Sequence, residues 1–194
     1  NNLAVQAYQE RAPGRPALFF CVDVQHTIDM TQALLDRGIR AAYVVGATPS
    51  DERREIIAGF QRGDLDALVG CGVFLEGFDS PRVSCLVMAR PTTSSLIYTQ
   101  MLGRGTRIFP PDKTDTLVID LVDVSRKAGV QSINTLFGLP PKMRLGDTDV
   151  QKAAKKVQAM TLPLGIMAKA ERIEDLDKLA LEFDPQALSD TEPW

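Results

Sequence analysis

The sequence predicts an α/β protein: a mostly parallel sheet with helices on both faces, followed by an α-helical extension. Three observations predict it. Short apolar runs without polar alternation recur through the first 125 residues, as strands buried on both faces require. Segments with helical spacing and capping residues separate those runs, the mark of strand–helix–strand units. Past Asp123 the alternation stops and helix patterns alone remain.

Taken in order, Arg15–Asp23 is a proline-led apolar run and reads as a buried strand. His26–Gly38 is helical, with Ile28, Ala33, Leu34 and Leu35 as its apolar positions and Gly38 as a C-cap. Ile39–Gly46 is a second strand. Thr48–Gly63 opens on capping and acidic residues, which favour a helix N-terminus, and closes on Gly63. Leu65–Val73 and Arg82–Arg90 are further strands, Ser94–Gly105 a helix and Thr114–Asp123 a last strand. Leu136–Asp147 is rich in Gly and Pro and reads as a linker. Val150–Met160 and Gly165–Phe183 are helices. Residues 1–125 are thus expected to form the α/β domain, and 126–194 a linker and helical extension. The apolar spacing at Ile166, Ile173, Leu176 and Phe183 suits packing on a domain better than a coiled coil, since Lys169 interrupts it.

With 44% hydrophobic and 24% charged residues, the composition is that of an ordinary soluble globular protein. The net charge of −3 gives no overall signature of nucleic-acid binding. The charge is unevenly spread, however: the balance is +5 over residues 126–156 and −5 over 157–194. Cys21, Cys71 and Cys85 lie far apart in apolar runs with no CxxC pair, so buried free thiols in a reducing, intracellular compartment are expected. No signal peptide or apolar run of membrane length appears, and no membrane partner is expected. The chain starts at Asn1 without Met and is expected to be a piece of something longer.

Arg104 and Arg107 stand three apart among glycines in "YTQMLGRGTR". Arginine carries a permanent charge on a planar fork suited to phosphate or carboxylate. Two other stretches accompany it: "VVGATPSDERREIIAGFQRGDLDALV" and "VFLEGFDSPRVSCLVMARPTTS". In this order and spacing the three resemble the second RecA-like domain of superfamily 2 helicases and translocases, nearest the group of XPB-type, RadD-type and type III restriction-enzyme helicase subunits. The resemblance covers roughly residues 15–123 and implies a three-layer, P-loop NTPase-like fold.

It also implies roles. Arg104 and Arg107 match the paired arginines of motif VI, fingers that reach the γ-phosphate of ATP across a domain cleft. Gln100 matches the cleft-lining glutamine or histidine, and Gly103 and Gly105 let the loop lie close to the partner domain. Glu76, Gly77 and Asp79 match the "EGFD" of motif V, lining the nucleotide edge and coupling it to the bound strand. Gly46 and Arg53 match a "G…R…F" pattern ending at Phe60, which faces the nucleic-acid backbone. Thr48, at a helix N-terminus, is suited to a phosphate, and Thr92 and Thr93 follow a strand end in the same way. Met101 stands where DEAD-box RNA helicases proper have an arginine, and DNA is favoured over RNA as partner. The expected cofactor is ATP with magnesium, held mainly by a first RecA-like domain. That domain is the expected protein partner, because this sequence has no GxxxxGK[ST] and no DExH or DEAD tetrad. No metal ligands are assigned here, and the chain alone is expected to be inactive as an ATPase.

Other readings of the same residues stay open. Arg104 and Arg107 also suit a helix C-terminus. Asp79 suits a turn cap before Pro81, and Glu76 a solvated turn. Arg53 suits an ion pair with Asp51 or Glu55, and Thr92 and Thr93 an N-cap cluster with Ser94. His26, the sole histidine, reads as a helix-start cap. Lys152, Lys155 and Lys156 form either a solvated face or an extension of a phosphate track. A binding module without ATPase coupling is the alternative to a helicase domain. A dinucleotide oxidoreductase lacks the GxGxxG its first strand needs.

Overall fold

In the computed structural model the described residues are 1–74, 78–107, 113–121, 130–146, 148–160, 162 and 167–182. The chain divides into two compact units: Asn1–Asp123 with Gly129–Gln131, and Val124–Ala128 with Ser132–Trp194.

The first unit carries the expected sheet. Its strands are β1 (Ala17–Phe20), β2 (Ala41–Val44), β3 (Ala67–Gly70), β4 (Cys85–Met88) and β5 (Leu117–Asp120), ordered β2-β3-β1-β4-β5 and all paired in parallel. The register is in step: Ala17 stands opposite Ala67 and Cys85, and Cys85 opposite Leu117. Phe19, Val69 and Val87 are fully buried in a cluster with helix residues Val5, Tyr8, Met30 and Leu34. Leu18, Leu68 and Leu86, on the opposite face by strand alternation, are buried as well. Both faces are therefore covered, which is why these strands read as unbroken apolar runs.

Helix α1 (Asn2–Arg11) was not among the sequence-derived elements. Ala4, Val5 and Tyr8 bury one side of it, the Tyr8 ring stands edge-on to Phe19 at 5.4 Å, and its hydroxyl donates to the Arg15 carbonyl at 2.7 Å. Helix α2 (Val24–Leu35) begins two residues before His26. Asp23 caps it by accepting from the His26 N–H, and His26 Nδ1 accepts from the Val22 N–H, so the lone histidine braces a helix start. Its buried face is Thr27, Met30, Thr31 and Leu34; Ile28 and Leu35, two of the apolar positions named from the sequence, are exposed. The two threonines satisfy their hydroxyls on the carbonyls four residues back, which lets a polar residue occupy the inner stripe. Helix α3 (Ser50–Arg62) ends on Gly63 at φ 95°, as its sequence signals. Helix α4 (Ser95–Gly103) is capped by Ser94, which accepts from the Ile97 N–H.

The second unit contains α5 (Ile133–Leu136), α6 (Val150–Ala159) and α7 (Asp175–Glu182). Leu139, Met143, Ala153, Val157, Met167, Ile173 and Leu176 form its core. The Gly/Pro-rich stretch read as a linker is therefore packed. Buried Asn134 holds it by donating its amide to the carbonyls of Pro140, Pro141 and Met143 at 3.2, 3.3 and 2.7 Å. The helix expected over Gly165–Phe183 is shorter in its described part. Met167 is helical, Arg144 and Arg172 then form a parallel bridge with the Arg144 N–H donating to the Glu171 carbonyl, and helix resumes at Asp175. Ile166, Phe183, Arg126 and Lys127 lie outside the described residues.

Candidate functional site

The candidate residues of the first unit fall at opposite ends of the sheet. Parallel α/β sheets usually place ligands beyond the carboxyl ends of their strands. Gly46 and Thr48 follow β2 and Thr92 and Thr93 follow β4, so these four obey that rule. The arginines do not. Helix α4 runs back from the carboxyl end, so the loop it feeds lies near the start of β4 and β5. Gly105 packs there on Leu86, the second residue of β4, and on Thr116, which precedes β5.

Packing makes Gly105 necessary. A Cβ on it would meet Thr116 Cγ2 at 2.8 Å and Leu86 Cδ1 at 2.9 Å, closer than real side chains approach. Its glycine thus serves contact with its own sheet, whereas a Cβ on Gly103 would meet open space. Arg104 is half-buried and donates its Nη1 to the Phe78 carbonyl at 2.8 Å. Arg107 donates its Nη1 to Asp79 Oδ2 at 2.5 Å, with 65% of the arginine side chain and 54% of the aspartate side chain exposed. The segment before β4 and the loop after α4 are thereby tied twice. Gln61, in the last turn of α3, donates to the Asp79 carbonyl at 3.4 Å, which puts Asp79 at the same end of the sheet. Gln100 is half-buried one turn before Arg104. Glu76 and Gly77 lie outside the described residues.

At the carboxyl end, Thr48 folds back: its Oγ1 accepts from the Val45 N–H at 3.0 Å. Arg53 pairs with neither Asp51 nor Glu55. Its Nη2 donates to the Val45 and Gly46 carbonyls at 3.2 and 3.5 Å, while Asp51 pairs with Arg54, and Glu55 with Arg62 at 2.9 Å. Arg53 thus fastens the β2–α3 turn. Thr92 Oγ1 accepts from the Ser94 N–H at 3.1 Å, joining the N-cap cluster of α4, and Thr93 is exposed. The structure brings Gly46, Thr48 and Arg53 together and leaves Thr92 and Thr93 on a separate loop.

Sequence reasoning missed Lys113 and Thr116. Lys113 Nζ and Thr116 Oγ1 both donate to the Gly105 carbonyl. A lone lysine in a Pro/Asp-rich loop carried no signal of burial, yet Lys113 is 5% exposed. Burial lowers its pKa from the ordinary lysine value, while nearby Asp115 acts to raise it.

Residues 1–109 match the model of the helicase conserved C-terminal domain. The chain belongs to this family. It is 32% identical over 174 residues to IRC3 of Saccharomyces cerevisiae, by its name a candidate ATP-dependent helicase, across 90% of this chain and 24% of that protein. It is 38% identical over 137 residues to irc3 of Schizosaccharomyces pombe, by its name a candidate mitochondrial ATP-dependent helicase, across 70% of this chain and 22% of that protein. The chain thus spans about a quarter of the length of these relatives. Among solved structures, the E. coli DEAD-box protein SrmB shares the fold at 23% identity and a TM-score of 0.55, over 62% of this chain and 69% of that one. The expectations of a superfamily 2 helicase C-terminal domain and of a RecA-like α/β fold are borne out.

Proposed function

We propose that this chain is the part of an ATP-dependent nucleic-acid helicase or translocase that presents Arg104 and Arg107 to a nucleotide held on a first RecA-like domain. The observation that carries the reading is Arg107 on Asp79. A largely exposed guanidinium already seated on a carboxylate is placed to receive an oxyanion. ATP fits this donor set, and its magnesium is assigned to the first domain. When bound, ATP supplies the transferable γ-phosphoryl group. Arg104 and Arg107 then hold fixed positive charge where negative charge develops. Gln100 and Gly103 line the same cleft, and Glu76, Gly77 and Asp79 line the nucleotide edge.

At the other end of the sheet, Gly46, Thr48, Thr92 and Thr93 supply part of the nucleic-acid track, with DNA favoured over RNA. Arg53 contributes by holding the Val45–Gly46 carbonyls rather than by offering a free charge. The placement of the two sets at opposite sheet ends supports a domain that links nucleotide state to grip on a strand through its own body.

Phosphate release from ATP tests this. The 194-residue chain alone is expected to release none above background, with or without DNA, and the full-length protein to turn over with DNA stimulation. Robust turnover by the chain alone overturns the proposal. A full-length protein that binds DNA without turnover establishes the uncoupled binding module instead.

A further inference from the structure

The peptide between the two arginines is anchored from a direction that neither arginine uses. The Gly105 carbonyl accepts from Lys113 Nζ and from Thr116 Oγ1, and the Gly105 N–H donates to the Leu102 carbonyl at 3.0 Å. The side without a Cβ rests on Leu86 and Thr116. Arg104 and Arg107 are otherwise held by their guanidinium tips, on Phe78 and Asp79. Those tips must exchange partners to meet a phosphate; the Gly105 anchor does not.

Lys113 is buried, and among the described residues it forms no ion pair. A buried ammonium costs folding free energy that the field of nearby Asp115 offsets only in part, since burial still lowers the Lys113 pKa, and an apolar side chain of similar length would fill the space at less cost. Fold stability therefore gives no reason for a lysine here. Its proton donor, directed at one carbonyl, does.

We propose that Lys113 and Thr116 are positioning residues, which lock the Gly105 peptide and so set where Arg104 and Arg107 stand. The inference rests on the reading of those arginines as groups that meet the nucleotide. A group displaced by about 1 Å costs on the order of 10²-fold in rate, so a loosened loop is read in kcat.

The test uses the full-length protein and four variants: Lys113→Met, Thr116→Val, Thr116→Ser and Arg107→Ala. Steady-state ATP hydrolysis and the thermal midpoint are measured for each. Lys113→Met and Thr116→Val are expected to lower kcat by about 10- to 100-fold, with KM for ATP unchanged. Lys113→Met is expected to melt no lower than wild type. Thr116→Ser, which keeps the hydroxyl, is expected to retain most of the rate. Wild-type kcat in both Lys113→Met and Thr116→Val, beside an inactive Arg107→Ala, overturns this inference and leaves the arginine reading intact. Loss of rate that tracks loss of melting temperature in every variant, Thr116→Ser included, also overturns it. A fully active Arg107→Ala takes both readings down.

Discussion

Arg107 and Asp79 are 28 positions apart in sequence and meet at 2.5 Å, joining the loop after α4 to the segment before β4. The geometry is that of a strong charge-assisted hydrogen bond, but more than half of each side chain is in solvent. Exposed pairs are worth at most about 1 kcal/mol. The contact is thus weak enough to exchange for a phosphate and specific enough to keep the guanidinium in place until then.

Asp79→Asn follows from that balance. It is expected to lower unfolding stability by less than about 1 kcal/mol in urea titration. In the full-length protein it is expected to reduce the ratio of DNA-stimulated to basal ATP hydrolysis. A large stability loss with an unchanged ratio assigns Asp79 to structure alone.

Gly105→Ala adds a methyl group where Leu86 and Thr116 leave no room. Overpacking of this kind costs about 1–3 kcal/mol. Gly103→Ala, which faces open space within a helix, is expected to be neutral or slightly stabilising. Equal urea midpoints for the two variants contradict the packing argument.

The thiols give a simpler check. Burial pushes both Cys21 and Cys85 up to about 12, so neither forms thiolate at neutral pH, whereas Cys71 is only half-buried. A thiol reagent at pH 8 is expected to titrate Cys71 alone in the native chain and all 3 cysteines after unfolding. Fast labelling of all three in the native state contradicts the buried sheet.

The α/β fold was legible because its signals are local. Each strand is an unbroken apolar run, and Ser94, Gly63 and Asp23 mark helix ends by their own chemistry. Helix α1 escaped because Ala4, Val5, Tyr8 and Ala12 carry the apolar spacing weakly, and only the sheet beneath reveals what they cover. The packing of the Gly/Pro-rich stretch was not legible because composition says nothing of Asn134, whose amide gathers three carbonyls from it. For the candidate site, motif spacing singled out the arginines. The rule that ligands lie beyond strand carboxyl ends pointed away from them, since α4 carries their loop back to the other end. Lys113 was invisible because its significance lies in a contact eight residues away in sequence.

The basic residues of α6 divide in the structure. Lys156 pairs with Asp177 at 2.7 Å, while Lys152 and Lys155 are exposed. If α6 extends a phosphate track, changing Lys152 and Lys155 to Gln lowers the slope of log affinity against log salt by about 1.8, or roughly 0.9 per duplex phosphate. Lys156→Gln alone is expected to leave that slope unchanged. An unchanged slope in the double variant assigns the helix face to solvent.

The central claim is that Arg104 and Arg107 meet the nucleotide. The direct measurement is single-turnover ATP hydrolysis by full-length protein carrying Arg107→Ala or Arg104→Ala, with nucleotide binding followed in parallel. Binding partly retained with the rate lowered by roughly 10³-fold, the scale of arginine-finger loss, is the predicted result. Hydrolysis at the wild-type rate by either variant contradicts the role assigned to that arginine.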